Sequence, residues 1–394
     1  MALTMRPDTH NPWMTRRTRT MPLSTTIELR DLALGGEDDT QVTAPPPGRS
    51  PRGNGSAATT AQDSGIGFFK QVCGGSWMTQ GLWVAAELGI ADLLAEGPRT
   101  VEELAQETRT HKGALYRLLR ALAAVGVFTQ DAQQRFSLTP LAELLQTDVP
   151  GSQRAYAIMM GAEFYAAWGE LLHSVRTGEP GFQKRFGMPF FQYMTGNPER
   201  HSIYDAAMTA VHGAETEPML DAYDFSAFKT VVDIGGGNGQ VMAAILRRHP
   251  GLQGIVFDLP AVADRARSTT WPGDVANRIR IEGGDFFAGV PAGADAYLMR
   301  HVIHDWEDPE AVAILRRCRE AMAPHGRVLV VEMVIPPGNE PSFGKWLDLM
   351  MLLVAGRERT EEEYDRLLMA AGLKLDCVIP TPSEVSIVEG SRAR

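Results

Sequence analysis

The segment VVDIGGGNG, residues 231–239, is the strongest indication of the fold class in this 394-residue chain. It joins TVVDI, an apolar run of β-forming residues, to GQVMAAILRRHP, whose apolar residues recur at helical spacing. Glycines in such a strand-to-helix turn let the backbone approach a ligand closely at the N-terminus of the helix. The dinucleotide fingerprint GxGxxG has a third glycine where this chain has Gln240, so the turn alone does not specify the ligand.

Strands and helices continue to alternate from residue 226 to the end of the chain. GIVFD, IRIEGGDFF, AYLMRHVIHDW and RVLVVEMV are strand-like, and PAVADRARS, PEAVAILRRCREAMAPHG and TEEEYDRLLMAAG are helix-like. The last segment, LKLDCVIPTPSEVSIVEG, predicts two further short strands. This alternation is typical of a Rossmann-like, doubly wound α/β domain with a parallel sheet, in which ligands bind beyond the carboxyl ends of the strands.

Acidic and aromatic side chains stand at the ends of the second and third strands. Asp258 ends the second strand, where a carboxylate accepts hydrogen bonds from ribose hydroxyls. Asp285 and Phe286 follow the third strand and offer an acceptor and an aromatic face to an adenine. The loops therefore predict an adenosine-type ligand and do not require a pyrophosphate.

The segment Arg300-His-Val-Ile-His304-Asp-Trp306 ends the fourth strand, where a reacting group is expected. A histidine with a pKa near 7 is an efficient general base, and we assign this role to His304. His301 is interpreted as structural. Two histidines beside an aspartate also suggest a metal site, but the sequence offers no further cluster that completes a ligand set, so no metal is predicted.

Residues 63–150 form a predicted helical unit that ends in a hairpin. Thr100 and Glu103 have the spacing of a capping box, and an amphipathic helix runs from His111 to Gly126. A short hairpin follows, so the order is that of a winged helix. This stretch has seven Lys and Arg against ten Asp and Glu, which favours a dimerisation domain over a DNA-binding one.

The remaining two segments differ strongly in composition. Residues 1–62 hold seven of the 25 prolines and little apolar periodicity, which predicts a disordered tail, or a true start at Met14 or Met21. Residues 151–225 are predicted to form a helical linker rich in Met and aromatic residues. Such side chains often line pockets for planar ligands. The residues assigned to such an acceptor pocket are Met159, Phe164, Trp168, Tyr204 and Met208.

Overall composition excludes several classes of protein. The chain has 38 Lys and Arg against 48 Asp and Glu, a net charge of −10, which argues against nucleic acid as a partner. No apolar run reaches the about 18 residues of a membrane helix, and no signal peptide is recognisable. Three widely spaced cysteines predict reduced thiols, and we therefore expect a cytoplasmic protein.

The motifs VVDIGGGNG, VFDLP, GDFF, HVIHDWED and RERTEEEYDRLLMAAG occur together and in order. From about residue 65 to 390 the chain resembles the S-adenosylmethionine-dependent O-methyltransferases of the plant caffeate and flavonoid type and the bacterial antibiotic-tailoring type. The resemblance implies a homodimer with an N-terminal winged-helix dimerisation domain. It also implies that residues 226–394 bind S-adenosyl-L-methionine and that the acceptor is a small aromatic metabolite.

The resemblance also assigns roles to individual residues. His304 matches the catalytic base, and Glu332 and Glu358 match the two acids that bracket it, with Glu332 taken as the residue that orients it. Met351, with Met208, matches methionines of the acceptor pocket. The cofactor-binding positions are Asp233, Gly235, Gly237, Asp258, Leu259, Asp285, Phe286, Arg300 and Trp306.

Two alternatives remain open from the sequence. The same fold and cofactor can serve N- or C-methylation, or hydroxylation, decarboxylation and pericyclic reactions without methyl transfer. A non-enzymatic ligand sensor with a DNA-binding winged helix is the weaker alternative, because residues 63–150 are acidic.

Overall fold

A computed structural model describes residues 61–393 of the chain, so nearly all of the expected tail at residues 1–62 lies outside the described residues. The first helix begins at Ala61, two residues before the expected domain boundary. Within residues 61–393 no helix has both the length and the apolar character needed to span a membrane.

The N-terminal part is a helix–turn–helix followed by a small wing. Its elements are α1 (Ala61–Glu87), α2 (Ile90–Leu93), β1 (Arg99–Thr100), α3 (Val101–Glu107), α4 (Lys112–Ala124), β2 (Phe128–Gln130), β3 (Arg135–Leu138) and α5 (Pro140–Glu143). The strands pair in the order β1-β3-β2. The predicted capping box is present, since Thr100 accepts from the Glu103 amide and Glu103 accepts from the Thr100 amide. The winged-helix pattern expected from the sequence is confirmed.

The middle part is helical, as expected for residues 151–225. Its elements are α6 (Arg154–Met159), a π-helical turn (Met160–Phe164), α7 (Tyr165–Trp168), α8 (Leu171–Thr177), α9 (Gly181–Phe186), α10 (Phe190–Gly196), α11 (Pro198–Gly213), α12 (Thr216–Ala222) and a 3-10 turn (Phe225–Ala227). Aromatic side chains pack between them, including Phe182 against Phe190 at a ring-centroid distance of 5.2 Å.

The C-terminal part alternates strands and helices. Its elements are β4 (Thr230–Ile234), α13 (Gln240–Arg248), β5 (Gln253–Asp258), α14 (Pro260–Ala266), α15 (Gly273–Ala276), β6 (Ile279–Gly283), β7 (Ala296–Arg300), a 3-10 turn (Ile303–Asp305), α16 (Asp308–Ala321), β8 (Arg327–Glu332), β9 (Val334–Ile335), α17 (Phe343–Val354), β10 (Arg359–Thr360), α18 (Glu361–Ala370), β11 (Leu373–Pro380) and β12 (Ser386–Arg392). The sequence pattern missed the helices α15 and α17 and the short strands β9 and β10.

Seven of these strands form one sheet in the order β11-β12-β8-β7-β4-β5-β6. Strands β4 to β8 run parallel to one another, whereas β12 is antiparallel to both β8 and β11. The doubly wound α/β class is confirmed, with one reversed strand that the expectation of a parallel sheet did not include. The strand order changes direction between β4 and β7, so a ligand-binding crevice opens at their carboxyl ends.

Strand β4 is at the centre of the sheet and is buried on both faces. Val231 belongs to the apolar core on one face, and Val232 and Ile234 belong to the core on the other. Successive side chains of a strand alternate between faces, so a two-sided core requires apolar residues at both odd and even positions of the strand. The core therefore fixes the strand whose end carries the glycine turn.

The fourth predicted strand is shorter than its sequence suggested. AYLMRHVIHDW forms a strand only over Ala296–Arg300, because His301 has a φ of 53° and turns the chain out of the sheet. A non-glycine residue in this region is uncommon and is often found at functional sites. As a result, His304 lies in a 3-10 turn beyond the strand and not within it.

Candidate active site

The glycine turn after β4 is packed on one side and open on another. Gly235 has a φ of 69°, and a Cβ atom there would lie 2.8 Å from Cγ2 of Val302. Gly237 has a φ of 55°, and its Cβ position has no neighbour within 4 Å. Its amide donates to Oδ2 of Asp258 over 2.9 Å, which ties the turn to the end of β5. The turn thus leaves room for a ligand against its backbone.

Asp233 is a buried carboxyl group directly below this turn. It is 2% exposed, and its Oδ2 atom has no hydrogen-bond partner within residues 61–393. Burial raises the pKa of Asp233 to about 7, although the nearby Arg300 opposes the shift. A buried carboxyl oxygen without a partner is costly, so this position favours a ligand that brings a hydrogen-bond donor or a positive charge.

Aromatic rings cluster beyond β6. Phe286 and Trp306 meet edge to face at a ring-centroid distance of 5.9 Å, and Phe287 contacts Trp306 at 4.8 Å. Asp285 is exposed and accepts a hydrogen bond from the Phe287 amide. Leu259, next to Asp258, is 56% exposed. The structure therefore brings Phe286 and Trp306, two of the predicted adenine-side residues, into contact, with Asp285 directly before Phe286 in the chain.

Arg300 and three residues that sequence reasoning left out form a polar cluster at the end of β7. The Arg300 guanidinium donates to the backbone oxygen of His212 over 2.9 Å and to Thr216 over 3.1 Å. Glu215 lies between His212 and His301, with N···O distances of 3.2 and 2.8 Å. The cluster ties the end of α11 and the start of α12 to β7.

Ligand atoms of His212, Glu215 and His301 lie within 4.8 Å of one another, a spacing that could accommodate a metal ion. No sequence pattern pointed to this set, because its members are up to 89 positions apart. However, the two imidazole rings are stacked, with centroids 3.7 Å apart. Rings that share one metal at about 2.1 Å per bond point towards it and hold their centroids further apart, so the present arrangement is that of a hydrogen-bond network.

Charges within this network are set by burial. Burial lowers the pKa of His301 to about 3, so the ring is neutral and donates through Nε2 to Glu215. Burial alone raises the pKa of Glu215, but the hydrogen bonds from His212 and His301 outweigh it and bring the pKa to about 2. Glu215 is therefore an anion between Arg300 and two histidine donors.

His304 is the buried base candidate, and its two ring nitrogens have different surroundings. Nδ1 lies 2.7 Å from Oε1 of Glu358, a residue only 1% exposed. Nε2 has no hydrogen-bond partner among residues 61–393, and its nearest carboxylate oxygen, Oδ1 of Asp305, is 3.6 Å away. The ring is thus held at one nitrogen by a carboxylate and free to react at the other.

Glu332 orients His304 by a different route from the one expected. Its Oε1 accepts from the backbone amides of Val302, Ile303 and His304 over 2.7 to 3.1 Å, and its Oε2 accepts from the Tyr364 hydroxyl. The contact to the imidazole ring, which the sequence interpretation gave to Glu332, comes from Glu358 instead. Glu332 ends β8, next to β7, so its side chain reaches the backbone of the turn that follows β7.

We expect that Glu332→Ala lowers the free energy of unfolding by about 3 to 5 kcal/mol, because three buried amides and a buried hydroxyl lose their acceptor. Tyr364→Phe removes only the hydroxyl and should cost about 1 kcal/mol. Urea unfolding followed by circular dichroism measures both. Equal losses in the two variants would contradict the role given to the three amides.

Glu358 reaches the ring because its loop is fixed to the turn that carries His304. The fully buried Arg359 donates to the backbone oxygens of Ile303 and Trp306 and to Asp308. Gly356 has no room for a side chain, since a Cβ atom there would lie 2.2 Å from the His304 oxygen. Strand β10 also pairs with β9 just beyond Glu332. These contacts place the RERT segment, which the sequence interpretation identified, against the base.

In the protein without a bound ligand, the charges around His304 favour the protonated form of its ring. Burial lowers its pKa, but the carboxylates of Glu358, Asp305 and Glu332 outweigh burial and raise it to about 10. Burial raises the pKa of Asp305 to about 6. A cation bound beside these acids lowers the pKa of His304, because like charges disfavour each other.

Five of the six predicted pocket residues meet in one apolar cluster. Met159 and Phe164 are buried in it, and Trp168, Tyr204 and Met208 pack against it. Met351 belongs to the core on one face of the sheet. Its Cε atom nevertheless lies next to Gly356, since a Cβ added to that glycine would be 2.6 Å from it, and Gly356 contacts the turn that carries His304. Glu163, from the π-helical turn, is the buried acid in this region and pairs with Arg200 at 2.5 Å.

Two family models match this chain. A model described as the O-methyltransferase domain matches residues 168–374, and one described as the O-methyltransferase dimerisation domain matches residues 70–148. Together they cover the helical N-terminal part and most of the α/β part.

Individual proteins are similar over nearly their whole length. The phenazine O-methyltransferase PhzM of Lysobacter antibioticus is 47% identical over 320 residues, covering 81% of this chain and 94% of that protein. The solved structure of the mitomycin 7-O-methyltransferase MmcR has a TM-score of 0.79 and 40% identity, covering 85% of this chain and 100% of the other. A second solved structure is that of NcsB1, an O-methyltransferase from neocarzinostatin biosynthesis in complex with S-adenosylmethionine and 2-hydroxy-5-methyl naphthoic acid. It has a TM-score of 0.72 and 37% identity, covering 80% of this chain and 96% of the other.

Proposed function

Since the chain belongs to the S-adenosylmethionine-dependent O-methyltransferases, we propose that it methylates a hydroxyl group of a small aromatic secondary metabolite with His304 as general base. The observation that carries this proposal is the asymmetry of the His304 ring. Its Nδ1 is bonded to a buried carboxylate, and its Nε2 has no partner among the described residues. A base needs this combination of a fixed tautomer and a free nitrogen.

The residues of the crevice fit the cofactor. S-adenosylmethionine carries an adenosine, an ammonium and a carboxylate, and it supplies a methyl group on a sulfonium, which leaves as a neutral thioether once the methyl carbon is transferred. We propose that Asp258 and Leu259 hold the ribose side and that Asp285, Phe286 and Trp306 hold the adenine side. The unpartnered Oδ2 of Asp233 and the open side of Gly237 fit the charged amino-acid end, with Arg300 close by.

The proposed reaction uses His304 to remove the acceptor's proton. The O–H bond of the acceptor breaks, its proton goes to Nε2 of His304, and its electron pair stays on the oxygen that becomes methylated. Glu358 then faces an imidazolium at 2.7 Å and stabilises it, while Glu332 holds the backbone amide of the same residue. A phenol has a pKa near 10, so a base in reach raises the phenolate fraction at the moment of transfer.

The aromatic cluster of the middle helices supports an aromatic acceptor. Phe164, Tyr204 and Met208 offer apolar faces. Helix α17 packs on this cluster through Met350 and Val354, and it also contacts the 3-10 turn that carries His304. We propose that the pocket also includes Met159, Trp168 and Met351.

We propose further that the protein is a cytoplasmic homodimer. Four large apolar side chains of α1 are between 52% and 77% exposed, namely Phe68, Phe69, Val72 and Trp77. Val72 and Trp77 lie at the start of the segment that matches the dimerisation model, residues 70–148, and Phe68 and Phe69 directly precede it. An apolar surface on one helix is what a partner subunit covers.

Methyl transfer to aromatic hydroxyl compounds tests the proposed function. The purified protein, mixed with methyl-labelled cofactor and a panel of phenols and naphthols, should give products heavier by one methyl group. Mass spectrometry locates the group on oxygen, nitrogen or carbon. Products without the added methyl group would overturn the proposal in favour of one of the diverted reactions.

A further inference from the structure

We propose that Asp348 is the positioning residue of Glu358, and that it ties the alignment of the base to α17, the helix that packs on the aromatic cluster of the middle helices. The inference rests on the proposed function and concerns the same site. It starts from the way in which the carboxylate that orients His304 is itself held in place.

The Glu358 carboxylate is anchored at one oxygen only. Its Oε1 meets Nδ1 of His304 at 2.7 Å, whereas its Oε2 is buried and has no hydrogen-bond partner among residues 61–393. Glu332, by contrast, is held at both oxygens, by three backbone amides and by Tyr364. The side chain of Glu358 therefore does not fix its own place, and its backbone has to do so.

Three backbone amides hold the segment that ends at Glu358. The amide of Gly356 donates to a backbone oxygen of α17 over 2.8 Å, and that of Arg357 donates to the His304 oxygen over 2.7 Å. The amide of Glu358 itself donates to Oδ1 of Asp348 over 2.9 Å. The first two bonds join main-chain atoms, so Asp348 supplies the one side chain among these three acceptors.

The loop between α17 and Glu358 does not take this path by its own preference. Ala355 leaves the helix with a φ of 79°, a conformation that a residue other than glycine rarely adopts and that persists only where surrounding contacts hold it. Arg359 holds the loop from the side of the base turn, through two backbone oxygens. Asp348 holds it from the side of α17, so Glu358 lies between two anchors.

Helix α17 also borders the proposed acceptor pocket. Met350 and Val354 pack on the aromatic cluster, and the helix contacts the 3-10 turn that carries His304. Asp348 lies less than one turn before Met351, a proposed pocket residue. An acceptor that binds against α17 is thus linked, through the hydrogen bond of Asp348, to the carboxylate that orients the base.

The hydrogen bond requires the oxygen of Asp348 and not its charge, because an amide oxygen accepts from a backbone N–H equally well. Burial raises the pKa of Asp348, and the bond from the Glu358 amide opposes the shift. Of the charges around it, Arg357 and Arg359 also oppose the shift, and Glu363 adds to it. Asparagine at this position therefore separates the acceptor from the charge.

Substitutions at this position test the inference on methylation of a responsive naphthol. Asp348→Asn keeps the acceptor, so its kcat should stay within a few-fold of the unchanged protein. Asp348→Ala removes the acceptor and should lower kcat about ten- to hundredfold, as a displacement of about 1 Å in a catalytic group does, while KM changes only a few-fold. Asp365→Ala, which removes a half-buried aspartate of α18, is the matched control and should change neither value.

A melting curve confirms that each variant is folded. Asp348→Ser serves if the alanine variant does not fold, because it keeps a polar group at this half-buried position while its oxygen is too close to the backbone to reach the Glu358 amide. Its kcat should fall as in Asp348→Ala.

The pKa of His304 provides a readout that does not depend on turnover. A carboxylate of Glu358 that is no longer held beside Nδ1 stabilises the protonated ring less, so this pKa should lie about one pH unit or more lower in Asp348→Ala and stay in place in Asp348→Asn. NMR titration of the protein with ¹⁵N-labelled histidine follows each ring, and His304→Gln identifies the resonance.

The inference is overturned if Asp348→Ala keeps its activity, if Asp348→Asn loses as much, or if the pKa of His304 stays in place in the alanine and serine variants. If no naphthol is methylated, the proposed function fails for this acceptor class, while the pKa values still decide the role of Asp348.

Discussion

Replacing His304 by alanine should reduce kcat by a factor of about 10² to 10⁴, the range that a positioned general base contributes. The affinity for S-adenosylmethionine should stay close to that of the unchanged protein, because the predicted cofactor contacts come from other loops. Single-turnover methylation of a responsive naphthol measures the rate, and calorimetric titration measures the affinity.

The acidity of the acceptor separates a base from a structural histidine. A nitro-substituted naphthol is already ionised at neutral pH, so the loss caused by His304→Ala should shrink for it. Raising the pH towards the phenol pKa near 10 should partly restore the variant with ordinary naphthols. His325→Ala removes an exposed histidine elsewhere and is the matched control. An identical loss for acidic and ordinary acceptors would show that His304 does not act as the base.

Glu358→Gln should lower kcat by about 10² to 10⁴, although the side chain keeps its size. The imidazolium formed during the reaction loses the negative charge 2.7 Å from Nδ1, as in hydrolases whose histidine loses its carboxylate. The charge of Glu358 is also a main reason why the pKa of His304 is raised to about 10. Its removal therefore lowers that pKa, so the rising limb of the pH–rate profile should move to lower pH.

The direction of this shift is what distinguishes an electrostatic role. The rate rises over the pH range in which the base loses its proton, so a lower pKa of His304 moves this rise to lower pH. Glu361→Gln, which neutralises an exposed acid three residues further on, should change neither kcat nor the profile. A Glu358→Gln variant with reduced kcat but an unmoved profile would mean that the side chain only supports the loop.

Most of the fold could be read from short stretches of the chain. The strand TVVDI was expected at 230–234 and is found there. A short, largely apolar run that is bounded by a glycine turn is typical of a buried strand. The doubly wound class, the winged helix and the cofactor were all correct. The division into residues 1–62, 63–150, 151–225 and 226–394 stays a prediction.

The length of the strand after residue 296 and the elements between 334 and 360 could not be read in this way. AYLMRHVIHDW continues to look β-like after Arg300, and only the backbone angle of His301 ends the strand. Strands β9 and β10 have two residues each, too few to leave a periodic pattern. Arg359 of β10 also bonds a loop more than fifty residues earlier, a contact that no local pattern reveals.

Patterns that are local in the sequence were enough to predict the sheet and the cofactor and to nominate His304 as the base, because each depends on residues that are neighbours along the chain: a glycine turn, an acid at a strand end, a histidine after a strand. Which carboxylate contacts the His304 ring depends instead on contacts between distant parts of the chain. The sequence interpretation gave the ring contact to Glu332, 28 positions from His304, whereas Glu358, 54 positions away, makes it. The buried Arg359 and the space left by Gly356 bring Glu358 to the ring and leave Glu332 to the backbone amides.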